Sequence, residues 1–163
     1  MKALVVGLTT EKGFKISEFL ISRGVLVYGV DNKQGSQGGT IKNISRIFKL
    51  NPRHKDSMWL MFEIAKPDTI IYCMADGKGP AWDYVSFLNI LYAAIERGVS
   101  KVVLVINENL PLEHPETIQD AETIAMCLAT KIIAKDGKFE YVIITEKDNL
   151  FKTIKKFLLK ENE

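Results

Sequence analysis

Met1-Lys2-Ala3-Leu4-Val5-Val6-Gly7-Leu8-Thr9-Thr10-Glu11-Lys12-Gly13 opens the chain, and Val25-Leu26-Val27-Tyr28-Gly29-Val30-Asp31-Asn32 follows one helix-length later. Lys2 to Val6 is a short apolar run that stops at a glycine. A strand buried on both faces reads this way, and strands of that kind belong to parallel sheets. Ile16, Phe19 and Leu20 recur at helical spacing, and Gly24 follows as a helix stop. Val25 to Val30 is the second strand, closed by Asp31. The opening thus reads strand, glycine turn, helix, strand, acid.

The same alternation continues outward. Ile44 to Leu50 is a third strand, and Arg46 and Lys49 within it suggest a place near the sheet edge. Met58, Met61, Phe62 and Ala65 mark one face of a helix that Pro67 stops. Thr69 to Met74 is a fourth strand. Val85, Leu88, Leu91, Tyr92 and Ile95 run along the next helix, ended by Gly98. Val102 to Ile106 is the fifth strand. Pro115 suits the first turn of a helix reaching Lys135, and Asp136-Gly137 is a turn. Phe139 to Thr145 is the sixth strand, followed by an amphipathic helix carrying Leu150, Phe151, Ile154, Phe157 and Leu158. Six strands alternating with helices, joined by right-handed crossovers, predict an α/β fold. The expected form is a single doubly wound parallel sheet of Rossmann type, order 3-2-1-4-5-6, in one domain over 1–163.

Composition narrows the function classes. Lys plus Arg is 22 and Asp plus Glu is 20, a net charge of +2 without a long like-charge block, so no basic stripe for nucleic acid is expected. The 47% hydrophobic fraction is globular rather than disordered. Two cysteines and two histidines far apart supply neither a disulfide scaffold nor a four-ligand zinc site. No apolar run reaches the roughly 18 residues of a membrane span. The chain enters a strand at once, so a signal peptide is not expected and a reduced, cytoplasmic setting is.

The chemistry concentrates in the first turn. Ligands of such sheets sit at the carboxyl ends of the strands, where the first turn meets the first helix. Gly7 permits the tight turn and Gly13 lets the helix pack close. Thr10 stands where a glycine would let the backbone approach a pyrophosphate, so it either holds the phosphate back or offers it a hydroxyl. Glu11 brings a negative charge that Lys12 is placed to offset. Asp31 can accept hydrogen bonds from two ribose hydroxyls and would repel a 2′-phosphate, favouring NAD over NADP. The plainer alternative is that Asp31 caps a loop and the glycines only shape a turn.

From Met1 to Asn32 the chain resembles the extended short-chain dehydrogenase/reductase family, above all UDP-galactose 4-epimerase and the nucleotide-sugar dehydratases. These open with strand, Gly-x-x-Gly-x-x-Gly, helix, strand and Asp-Asn; here Gly7, Gly13, Asp31 and Asn32 match at the same spacing, with Thr10 in place of the middle glycine. Lys66-Pro67-Asp68 through Ala75 resembles the family's Pro-Asp-strand-Ala-Ala segment. Leu91 through Val105 resembles its fourth helix and fifth strand. The resemblance covers roughly 1–106 well and the remainder loosely. It implies that Gly7, Thr10 and Gly13 lie along a pyrophosphate, that Asp31 and Asn32 hold the adenosine ribose, and that Asn51 lies by the adenine. It further implies that Met74, Ala75 and Asp76 floor the second ribose, with Asp83 on the nicotinamide side.

The family's Tyr-x-x-x-Lys and Ser do not carry over. The Ser position falls at about Asn107, and His114 and Ile118 fall at the Tyr and Lys positions; no Tyr occurs between Asn107 and the sixth strand. The family continues into a substrate-binding portion, whereas this sequence runs one helix past the sixth strand. The expectation is therefore a minimal NAD(P)-binding protein without the family's redox chemistry, acting as a sensor, regulatory or partner subunit. The alternatives are an epimerase/dehydratase-like enzyme using His114, Asp83 or Asp76, a CoA-binding module, and a pure interaction protein. The catalytic residues stay unassigned.

Four features admit plain readings. Cys73 and Cys127 read as small buried apolar residues. Pro52-Arg53-His54-Lys55 reads as a solvated loop before a helix. The loop Asp76-Gly77-Lys78-Gly79-Pro80, with Trp82 and Tyr84, is placed either to close over a ligand or simply to anchor an aromatic. The helices around 83–97 and 116–135 are apolar on more than one face. That suggests a homodimer through the surface by which family members form a four-helix bundle.

Overall fold

The computed structural model describes residues 1–31, 41–73, 84–106, 117–145 and 148–160. Six strands form one sheet: β1 (Lys2–Val6), β2 (Leu26–Asp31), β3 (Arg46–Lys49), β4 (Thr69–Cys73), β5 (Lys101–Val105) and β6 (Glu140–Ile144). The order is β3-β2-β1-β4-β5-β6 and every pairing is parallel, as the alternation of apolar runs and helices predicts. The helices are α1 (Glu11–Ser22), α2 (Lys55–Ala65), α3 (Tyr84–Glu96), α4 (Ile118–Lys135) and α5 (Leu150–Ile154), the last running on into a π-helical turn at Lys155–Leu159.

Strand residues alternate between two cores. Leu4, Val6, Ile70, Tyr72, Val102 and Leu104 point to the face covered by α2, α3 and α4, where they meet Met58, Phe62, Phe87, Ile90 and Met126. Ala3, Val5, Ile71, Val103 and Val105 point to the other face and meet Ile16 and Leu20 of α1 and Ile154 of α5. Period-two side-chain direction is what lets one apolar strand feed both layers. On the first face Tyr72 and Phe87 pack edge-to-face with ring centroids 4.9 Å apart.

Several boundaries differ from the expectations above. β3 is four residues, not seven: Ile44 leaves the ladder and its side chain lies over Gly29 of β2, where a Cβ would come within 3.2 Å of Ile44 and 2.4 Å of Leu8. On α3 the residues facing the sheet are Phe87, Ile90, Leu91 and Ala94, at offsets of three, four and seven. Val85 and Tyr92 therefore point outward. For α4, Pro115 lies outside the described residues. The helix is instead fixed by a capping box, with Thr117 Oγ1 accepting from the Asp120 amide at 3.1 Å and Asp120 Oδ2 from the Thr117 amide at 2.9 Å. The expected end of β4 at Met74 also lies outside the described residues.

Candidate functional site

The sheet order reverses between β1 and β4, which makes the carboxyl edge of those strands the natural crevice. The turn from β1 into α1 borders it. Gly7 sits at φ +80°, a region L side chains avoid, and a Cβ there would stand 2.3 Å from the Cys73 carbonyl oxygen at the end of β4. A Cβ on Gly13 would stand 2.2 Å from the Gly7 carbonyl oxygen. Both glycines are thus required by close backbone approach, and Gly13 is what lets the first turn of α1 press against the end of β1.

Thr10 is the N-cap of α1. Its Oγ1 accepts from the Gly13 amide at 3.0 Å and donates to the Gly7 carbonyl at 2.8 Å. The Thr10 amide also bonds Gly7 O at 3.1 Å, and the Phe14 amide bonds Thr10 O at 2.9 Å. The Glu11 and Lys12 amides remain, and among the described residues neither has a hydrogen-bond partner. Two open first-turn amides at the positive end of a helix dipole suit a phosphate oxygen.

The Glu11 carboxylate is drawn away from this turn. It bonds Lys15 Nζ at 2.5 Å on the exposed side of α1, and that hydrogen bond and charge hold its carboxyl below the ordinary value. Its counter-charge is thus chiefly Lys15, with a smaller contribution from Lys12, rather than Lys12 as expected from the sequence. Lys12 instead reaches across the crevice and donates to the Ile106 carbonyl just beyond β5, at 3.2 Å.

Asp31 ends β2 and is 4% exposed. Its Oδ2 accepts from the Thr9 amide at 3.0 Å, so the acid braces the turn from the β2 side. A carboxylate oxygen is an acceptor of the kind a ribose hydroxyl donates to. Its backbone oxygen takes the Leu50 amide at 3.2 Å, which brings the end of β3 alongside. Asn51 follows there, exposed, with Oδ1 accepting from the Arg53 amide at 3.0 Å. The loop Pro52-Arg53-His54-Lys55 is tied to α3 by Asn89 Nδ2, which donates to the Pro52 and Arg53 carbonyls at 3.1 and 3.3 Å.

The structure thus brings Gly7, Thr10, Gly13 and Asp31 into one hydrogen-bonded turn and sets Asn51 at the neighbouring edge. Asn32, Met74, Ala75, Asp76, Lys78, Trp82, Asp83, Asn107 and His114 lie outside the described residues. Cys73 and Cys127 are both buried, and loss of solvation pushes the Cys73 thiol up to about 12 and raises that of Cys127. No group of three or more His, Cys, Asp or Glu that could hold a metal occurs among the described residues. Sequence reasoning missed four features: the Thr9 amide on Asp31, the seat of Leu8 against Gly29, the reach of Lys12, and the N-cap role of Thr10, for which a threonine ahead of an apolar-periodic helix is the available signal.

No protein-family model and no curated protein matches this sequence. Solved structures match by fold. The UDP-glucose 4-epimerase of Thermus thermophilus, solved in complex with NAD, shares 20% identity at a TM-score of 0.71 over 88% of this chain and 54% of that one. The UDP-glucose 4-epimerase of Thermotoga maritima, solved with UDP-glucose, shares 18% at 0.73 over 88% and 54%. A further UDP-glucose 4-epimerase shares 15% at 0.79 over 89% and 51%. The chain spans about half the length of these proteins. Its six-stranded Rossmann-like sheet is the fold it shares with these epimerases.

Proposed function

We propose that this chain binds NAD along the carboxyl edge of its sheet, without the redox chemistry of the epimerases, and serves as a sensor, regulatory or partner subunit. The observation that carries the reading is the pairing of Asp31 with the glycine turn. A buried carboxylate at the end of β2 bonds the Thr9 amide, just before a helix N-terminus with two open amides. The carboxylate suits the adenosine ribose and the open amides suit the pyrophosphate. The absence of redox chemistry rests on the tyrosines. Residues 28, 72, 84, 92 and 141 are Tyr, and four positions on stand Asn32, Asp76, Leu88, Glu96 and Thr145, none of them the lysine of Tyr-x-x-x-Lys.

Calorimetric titration with NAD, NADP and CoA tests the reading. Saturable one-site binding of NAD is expected, with NADP and CoA weaker because their 2′- and 3′-phosphates meet Asp31. Asp31→Ala should weaken NAD at least about tenfold, the scale of a charge-assisted hydrogen-bond pair. NAD binding that is absent, or indifferent to Asp31→Ala in a folded variant, overturns it.

A further inference from the structure

Phosphate and base leave a ribose ring from opposite ends, C5′ and C1′. In the dinucleotide reading above, the phosphate sits on the first turn of α1, beside β1, and the ribose on Asp31 at the end of β2. The base is then carried onward to the end of β3, the next strand in the sheet. The segment 50–54 stands there. The Leu50 amide bonds the Asp31 carbonyl at 3.2 Å, which joins this segment to the acid. Asn51 folds it back: its Oδ1 accepts from the Arg53 amide at 3.0 Å and its carbonyl from the His54 amide at 3.0 Å.

Asn89, in the middle of α3, ties the fold-back to the helical layer. Its Nδ2 donates to the Pro52 carbonyl at 3.1 Å and to the Arg53 carbonyl at 3.3 Å, across 37 and 36 residues of sequence. An amide nitrogen has two hydrogens, and two acceptors on one side fix which end of the side chain faces the segment. Asn89 is only partly buried, so these bonds contribute modestly to the stability of the fold while deciding where the segment stands. We infer that Asn89 is a positioning residue for the base of the bound nucleotide. It acts through the segment 51–54, holding it from α3 in the place where the base lies against it. The inference rests on the dinucleotide reading and names α3 as the element that sets the base end of the site.

The test is calorimetry with NAD on the full chain, using wild type, Asn89→Asp and Asn89→Gln, with thermal midpoints and amide resonances recorded for each. Aspartate keeps the size of the side chain and loses both hydrogens; glutamine keeps them. Asn89→Asp should weaken NAD about tenfold, the scale of a neutral hydrogen bond, at a nearly unchanged thermal midpoint, and Asn89→Gln should recover part of the loss. Asn89→Ala gives the same comparison if the carboxylate prevents folding. In wild type NAD should move the Asn51 and Arg53 amides together with those of the α1 turn, and in Asn89→Asp the response of the α1 turn alone should remain. Unchanged NAD affinity in folded Asn89→Asp, or Asn51 and Arg53 amides that NAD leaves unmoved in wild type, overturns the role of Asn89 and leaves the dinucleotide reading standing. Loss of the α1-turn response along with that of the segment also overturns it, because the substitution then acts on the whole site. A wild type that does not bind NAD removes the dinucleotide reading, and the positioning role with it.

Discussion

Gly13 is where the sequence and the packing agree most tightly. In an open helix position Gly→Ala gains up to about 1 kcal/mol from reduced backbone freedom. In α1 the added methyl would meet the Gly7 carbonyl at 2.2 Å, and backbone cannot give way as a flexible side chain can. Gly13→Ala should therefore destabilise by about 2 kcal/mol or more, read as a lower urea midpoint at unchanged m-value. A gain in stability would show that the turn is looser than its geometry. The residue scale also marks the limits of sequence reading. Gly7 and Gly13 are legible as shaping the turn into α1, and Asp31 as the end of β2, whereas the bond of Asp31 to the Thr9 amide, 22 residues away in sequence, is not. The Lys12–Ile106 bond joins residues 94 apart in sequence, and periodicity and spacing carry no information about such a reach. Thr10 reads from the glycine pattern as a phosphate neighbour, although its place before an apolar-periodic helix also signals an N-cap, the role it fills.

Elements are legible to the extent that one face dominates each of them. β1 follows its expected limits residue for residue, because the apolar run and Gly7 bound it on both sides. β3 is shorter than its apolar run because an edge strand needs fewer buried residues, and Ile44 serves as packing over Gly29 rather than as a ladder residue. α3 turns its Phe87–Ile90–Leu91–Ala94 stripe to the sheet, since an abundance of apolar residues leaves periodicity with more than one solution. For α4 the Thr117-x-x-Asp120 box outweighs the proline as a start signal. Thr117→Ala should remove the Asp120 amide's acceptor and cost about 1 kcal/mol in chemical denaturation, whereas Thr117→Ser should restore most of it. Equal stabilities for Ala and Ser at this position would mean that the helix start is held by other contacts.

At the scale of the molecule the sheet accounts for two layers but not for all the apolar surface. Val85 and Tyr92 on α3, with Leu128 and Ile132 on α4, are exposed on adjoining helices; Tyr92 is 60% and Ile132 63% exposed. We propose that this surface pairs two copies of the chain through an isologous contact. Light scattering should then give a dimer mass for wild type and a monomer mass for Ile132→Lys, whose charge would be buried twice in a two-fold interface. A monomeric wild type at micromolar concentration contradicts the pairing. No helix among the described residues is long and apolar enough to cross a membrane.

A dinucleotide lying against the turn from β1 into α1 and the end of β2 would perturb the backbone there before anywhere else. The most direct measurement is the change in backbone amide resonances of isotope-labelled protein on addition of NAD. The amides of Gly7, Thr9, Glu11, Lys12 and Gly13, together with Asp31, should shift most, with the outward faces of α3 and α4 unmoved. Shifts confined to α3 and α4, or no shift at millimolar NAD, would contradict dinucleotide binding at this turn.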